Sequence, residues 1–216
     1  LFAADATLTD VSKLTCLVLQ VAMCSARERM LLYTRACDSD SFKPEEDHSR
    51  DVMEALRAEH SVDCSTATLS TVLFTDGEPT QLVIGVHGCT NHRKNEFYHT
   101  IDLTQTILPV AMDLLPMLHT GLKELYQDYT PESFLFRSKT DPEVTKPHGR
   151  NWVNDSVLKP YIKITAGKLR KSVEQESFRL HRADPESFSL QMCTEVHARL
   201  QHKPATAMEK YVRMQL

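Results

Sequence analysis

The residues of this chain best suited to chemistry stand near its end: His202 and Tyr211, within Gln201-His202-Lys203-Pro204-Ala205-Thr206-Ala207-Met208-Glu209-Lys210-Tyr211. Thr206 and Glu209 have capping-box spacing, which places Tyr211 on the second turn of a short terminal helix. A tyrosine with an unperturbed pKa of about 10 is a poor nucleophile. It needs a cationic site for the phenolate and a base for the proton. Arginines supply such a site well, because guanidinium forks stabilise negative charge that develops on an oxyanion. Each residue also has an ordinary reading. A lone arginine is usually a solvated surface residue, His202 suits a helix C-terminus, and Tyr211 suits a half-buried anchor.

The surrounding segments connect these residues. Ile164-Thr165-Ala166-Gly167-Lys168-Leu169-Arg170-Lys171-Ser172 resembles the second-arginine box of the tyrosine recombinases (the phage integrase family), I-T-x-H-x-L-R-H, with Leu169-Arg170 in register. Cys24-Ser25-Ala26-Arg27, then Met30-Leu31-Leu32, Asp38 and Asp40, aligns without gaps with the first-arginine box, T-G-x-R-x-x-E-L-L-x-L-x-x-x-D-I-D. Lys94 stands where the family has a β-turn lysine, so the order Arg, Lys, Arg, His, Tyr is complete between Leu8 and Tyr211. Gly167 replaces the family's histidine, Met30 replaces its acidic residue, and the separation of Arg170 from His202 is longer than usual. The divergent boxes and inserted loops are similar to those of eukaryotic mobile-element recombinases of the crypton or retroelement kind.

The resemblance implies the tyrosine recombinase catalytic-domain fold and site-specific DNA recombination or integration through a covalent 3′-phosphotyrosine. Arg27, Lys94, Arg170, His202 and Tyr211 would be catalytic: Tyr211 as nucleophile, Arg27 and Arg170 stabilising charge on the phosphodiester under attack, and His202 orienting the phosphate by hydrogen bonding. Lys94, in a polar turn between two strand-like segments, would be the general acid for the departing 5′-hydroxyl, with Arg93, His92 and His87 as nearby substitutes. No metal, ATP or other cofactor and no small-molecule substrate is implied. The implied partner is double-stranded DNA, bound by a homotetramer, in the nucleus if the host is eukaryotic and otherwise in the cytoplasm with the DNA. Lys163, Lys168, Lys171, Lys203 and Arg213 cluster in sequence around the candidate site and would contact DNA phosphates. An alternative is a domesticated, catalytically inactive descendant that keeps a DNA- or protein-binding role, as Gly167 and Met30 would suit. Another is an unrelated helical interaction domain.

Charge distribution is compatible with a nucleic-acid partner despite a net charge of −4. Residues 1–130 carry ten Lys/Arg against nineteen Asp/Glu, whereas residues 131–216 carry fifteen against ten. The second half is therefore locally basic, and a local basic face is what neutralises phosphates. The six cysteines form no C-x-x-C pair, and the ten histidines form no H-x-x-x-H pattern. Free thiols in a reducing compartment are expected, and a metal site is not. No apolar run reaches the roughly 18 residues of a membrane span, so the chain reads as soluble.

The elements that must position these residues are those of one α+β domain over residues 1–216, mostly helical, with a small three-stranded antiparallel sheet. The chain opens without methionine and enters helix-like sequence by Leu8, so a separate N-terminal DNA-binding domain is expected outside it. Val11, Leu14, Leu17, Val18 and Val21 mark one face of a first helix over Thr9–Met23, and a second helical piece runs from about Glu28 to Arg35. Residues 38–50 read as an exposed acidic loop, followed by a short helix near Asp51–His60. Three strands occupy Ser65–Leu103, with turns at Asp76-Gly77 and Asn91–Asn95. Residues 105–127 are helical in pattern, with breaks expected at Pro109 and Pro116. Residues 128–150 read as a long loop around Phe134-Leu135-Phe136. A helix containing Thr165–Leu180 follows, then one opening at Asp184-Pro185 with Phe188, Met192, Val196 and Leu200 on one stripe.

Overall fold

A computed structural model describes residues 7–22, 31–49, 51–52, 55, 58, 66–88, 97–105, 109–130, 133–137, 148 and 151–199. The β-branched run Thr66–Thr75 (β2) and its partner Glu78–Gly88 (β3) form the antiparallel hairpin expected from sequence. Asp76 and Gly77 both have positive φ, 54° and 83°, the pairing a two-residue turn needs to match the strand twist. Phe97–Asp102 (β4) pairs antiparallel with β3.

The sheet has a fourth strand, and this corrects the three-stranded expectation. Thr34–Asp38 (β1) runs parallel to β2, with Thr34 opposite Ser70 and Asp38 opposite Phe74. Helical backbone ends at Leu32, so the helix expected to reach Arg35 gives way to a strand. Thr-Arg-Ala-Cys-Asp has only one β-branched residue, and it is pairing with β2 that makes it extended. The crossover between these strands contains a short helix, Pro44–Asp47 (α2), in what sequence presents as an exposed loop. His48, directly after α2, is fully buried.

One sheet face, with Val72, Phe74, Leu82 and Ile84, shares a core with two long helices. Leu8–Ala22 (α1) buries Val11, Thr15, Cys16, Leu19 and Gln20, while Leu14, Leu17 and Val18 pack at its flanks. Val21 is 46% exposed, so the buried line is rotated from the aliphatic stripe. Burial of Thr15 is possible because its hydroxyl donates to the Val11 carbonyl at 2.7 Å. Val110–Leu125 (α3) starts after Pro109, as the sequence indicates, but runs unbroken through Pro116. An interior proline costs about 3 kcal/mol. Buried Leu114, Leu115, Leu118 and Leu122 contribute roughly 1.5–3 kcal/mol each, and packing wins. On the other sheet face, Leu69 packs with Phe134, whose ring meets Tyr33 edge-on at 5.4 Å. Leu135 and Phe136 are buried as well, so the short apolar piece within the long connection is a core element.

After residue 150 the chain forms a π-helical turn, Val153–Leu158, that continues into Lys159–Ile162 (α4). Val153, Val157 and Leu158 are fully buried in the main core. Lys163 ends α4 in the left-handed conformation, φ 56°. Ala166–Ala183 (α5) follows, as expected, and then Leu190–Arg199 (α6). The start of α6 corrects the expected start at Asp184-Pro185. The Asp184 carboxylate accepts from Ser187 N at 3.0 Å and closes a separate turn, whereas Ser189 Oγ accepts from Met192 N at 3.3 Å. The serine caps the helix, and the proline belongs to the turn. Cys193, rather than the 42% exposed Met192, is the buried residue, packing with Phe178 and Phe188.

Candidate active site

The best-defined part of the candidate site is the start of α5. Thr165 has extended backbone, φ −99° and ψ 159°, and its Oγ1 accepts from Lys168 N at 3.4 Å, the geometry of an N-cap. A second side chain serves the same end: Asn154, in the π-helical turn, accepts from Ala166 N at 2.9 Å. The first N–H groups of a helix have no partner within it, so each bond satisfies a donor that the fold would otherwise bury or hydrate. Ala166 has no solvent exposure, so in the folded chain it is Asn154 rather than water that satisfies this donor.

Arg170 lies on the second turn of this helix and is half-buried, with Nε shielded from solvent. Ala166, Glu174, Ser177 and Phe178 are buried at three- and four-residue spacings around it, so Arg170 belongs to the inward face of α5. Glu174 is only 1% exposed, an unusual burial for a carboxylate. Ser177 donates to the Glu174 carbonyl at 2.8 Å, and Cys193 Sγ donates to the Ser177 carbonyl at 3.1 Å, which joins this face to α6. Burial raises the pKa of Cys193 and disfavours its thiolate.

Lys163, Lys168 and Lys171 are all exposed. The start of α5 therefore presents ammonium groups to solvent around a more sheltered guanidinium. Arg27, Lys94, His202, Lys203, Tyr211 and Arg213 lie outside the described residues. Lys94 belongs in sequence to the connection between β3 and β4, whose paired ends are Val86 and Phe97. Of the ten residues singled out by sequence, the structure thus gathers Lys163, Lys168, Arg170 and Lys171.

Sequence reasoning missed Asn154 and Glu174. An asparagine before a helix-forming run carries no signal that it caps a helix twelve residues later, and a glutamate within Val173-Glu174-Gln175-Glu176 reads as surface charge. It also missed a buried cation. Arg137 is 4% exposed, with its guanidinium 4.1 Å from the centre of the Tyr126 ring and 3.3 Å from the Asp128 carboxylate. It lines a cavity of about 40 Å³ with Trp152 and His148, whose rings stack at 4.0 Å. That volume suits a few waters rather than a nucleotide. Among the described residues, no group of three or more His, Cys, Asp or Glu is placed to hold a metal ion, and no helix is long and apolar enough to cross a membrane.

Comparison of the chain with protein-family models, curated proteins and solved structures finds no match.

Proposed function

We propose that this chain is the catalytic domain of a site-specific tyrosine recombinase, which cleaves and rejoins DNA strands with Tyr211 as nucleophile. The observation that carries this reading is the start of α5, where a half-buried Arg170 lies one turn beyond two helix-capping bonds and among three exposed lysines. A sheltered guanidinium on a fixed helix suits a transition-state charge stabiliser, and exposed ammonium groups suit the flanking DNA phosphates.

In the proposed reaction the Tyr211 hydroxyl oxygen attacks the scissile phosphorus as its proton passes to a base. The bond from phosphorus to the 5′-oxygen breaks, and that oxygen takes a proton from Lys94 and leaves as a 5′-hydroxyl. Arg27 and Arg170 stabilise charge on the two non-bridging oxygens, and His202 donates to the phosphate. The covalent 3′-phosphotyrosine conserves the bond energy, so a 5′-hydroxyl from another strand can reverse the step. A homotetramer acting on double-stranded DNA in the nucleus, in a crypton-like or retroelement host element, belongs to the same proposal.

Gly167 favours a second reading, a domesticated domain that binds DNA or protein without cutting. A glycine at that position offers no side-chain donor to the phosphate. A nicked suicide DNA substrate separates the two. The wild-type chain should form a protein–DNA adduct that survives denaturation, and Tyr211→Phe should bind DNA with the same salt dependence and form none. Adduct formation by Tyr211→Phe would assign the nucleophile elsewhere, and binding without any wild-type adduct would favour the inactive reading.

A further inference from the structure

We infer that Asn154 is a positioning residue for Arg170, acting through the first turn of α5; this rests on the recombinase reading proposed above. The π-helical turn that carries Asn154 is fixed to the core by Val153, Val157 and Leu158, all fully buried. π-turns are rare and frequently mark functional sites, because the extra residue re-aims the side chains around it. Here Asn154 Oδ1 reaches twelve residues along the chain and accepts from Ala166 N at 2.9 Å. Ala166 is itself wholly buried while Asn154 is half-buried, so loss of that acceptor exchanges a fixed protein partner for a donor left unsatisfied or met only by solvent entering where the side chain was. Thr165 does not cover the loss, because its hydroxyl accepts from Lys168 N.

The bond therefore sets where α5 begins relative to the core, and Arg170 follows Ala166 by one helical turn on the same inward face. A displaced helix start carries the guanidinium with it. Misplacement by about 1 Å of a group that orients a reaction costs on the order of 10²-fold in rate. Asn154 itself touches neither DNA nor the reacting atoms in the proposed reaction. It acts by holding one donor of the helix that bears Arg170.

The test compares the wild-type chain with Asn154→Ala, which removes the acceptor, and Asn154→Asp, which keeps an oxygen facing the helix N-terminus. Single-turnover adduct formation on the suicide substrate should slow by about 10- to 100-fold in Asn154→Ala, while DNA affinity changes by less than about threefold. Asn154→Asp should restore the rate to within about threefold of wild type, and exchange of the Ala166 amide proton should be faster in Asn154→Ala alone. If Asn154→Ala does not fold, Asn154→Asp carries the test, since a folded aspartate variant that reacts slowly overturns the role. A wild-type rate in folded Asn154→Ala overturns it while leaving the recombinase reading intact. If the wild-type chain forms no adduct, that reading fails and the positioning role fails with it, whatever the amide exchange shows.

Discussion

The imidazole of His48 lies on the backbone of Gly85, so close that a Cβ at the glycine would come within 2.7 Å of Nδ1 and 3.0 Å of the histidine Cβ. The ring cannot simply retreat. It is fully buried, its Nε2 is 2.8 Å from Thr71 Oγ1, and Phe42 meets it at 5.2 Å. Gly85 is thus in β3 for the space it leaves, opposite Leu69 in β2.

Gly85→Ala should consequently destabilise the fold by about 1–3 kcal/mol, the usual cost of forcing extra volume into a packed interior. Urea unfolding would show this as a lower midpoint at unchanged slope. A midpoint equal to wild type would mean that His48 is not held as described.

Acid should weaken the domain through His119. Its ring stacks on Phe74 at 4.8 Å, its Nδ1 is 3.1 Å from the Tyr129 hydroxyl, and Lys123 lies near it on α3. Desolvation first, and then the Lys123 charge, lower its pKa from 6.5 to about 4. The unfolded chain therefore binds this proton before the folded one does, and stability is lost as pH falls from 6.5 towards 4. The whole shift corresponds to about 3 kcal/mol, reduced to on the order of 1 kcal/mol because the half-buried ring is partly screened by solvent. Melting temperatures measured across this window should fall less steeply for His119→Gln than for wild type. Parallel slopes would remove His119 as the cause.

What sequence revealed and what it hid follow from how local each cause is. The β2–β3 hairpin is legible because Asp76-Gly77 carries its own turn chemistry, and α5 is legible because Thr165 caps it three residues before Lys168. β1 is hidden because its extended form depends on a partner strand some thirty-six residues away, Thr34 against Ser70. Pro116 misleads because its local cost is smaller than the burial of the leucines around it. Within the candidate site, the placement of Arg170, Lys168 and Lys171 on α5 is legible from the helical pattern that contains them. Asn154 is not, because its bond to Ala166 is made by a π-turn that no periodicity announces.

Gly167 occupies the first turn of α5 with room to spare, since a Cβ there would meet only Thr165 Oγ1, at 4.0 Å. Gly167→Ala should stabilise the domain by roughly 0.4–1 kcal/mol, chiefly by restricting the unfolded chain. Gly167→His should fold equally well and, in the recombinase reading, speed adduct formation by placing a donor beside Arg170. A lower melting temperature for Gly167→Ala would show that the space is occupied.

Arg170 should be the most sensitive of the described site residues. Arg170→Lys keeps a charge on the same helix face but loses the planar fork, and should slow adduct formation by about 10-fold or more. Arg170→Ala should slow it by on the order of 10²–10³, with melting temperatures recorded alongside because the side chain is half-buried. A loss below about tenfold in a folded Arg170→Ala protein would contradict the transition-state role proposed for it.

Lys163, Lys168 and Lys171 should govern how DNA binding responds to salt. All three are exposed, and Lys163 is presented by a left-handed turn directly before α5. Each ammonium–phosphate ion pair removed should reduce the slope of log K against log salt by about 0.9, so glutamine at all three positions should reduce it by up to about 2.7. The net charge of −4 does not oppose this, because the acidic excess belongs to residues 1–130 and the second half of the chain is basic. The effect should be uniform across DNA sequences, since ammonium groups on phosphates carry no base information. Titrations at several salt concentrations would measure the slope directly. A triple variant with the wild-type slope would mean that DNA, if bound at all, meets another face of the domain.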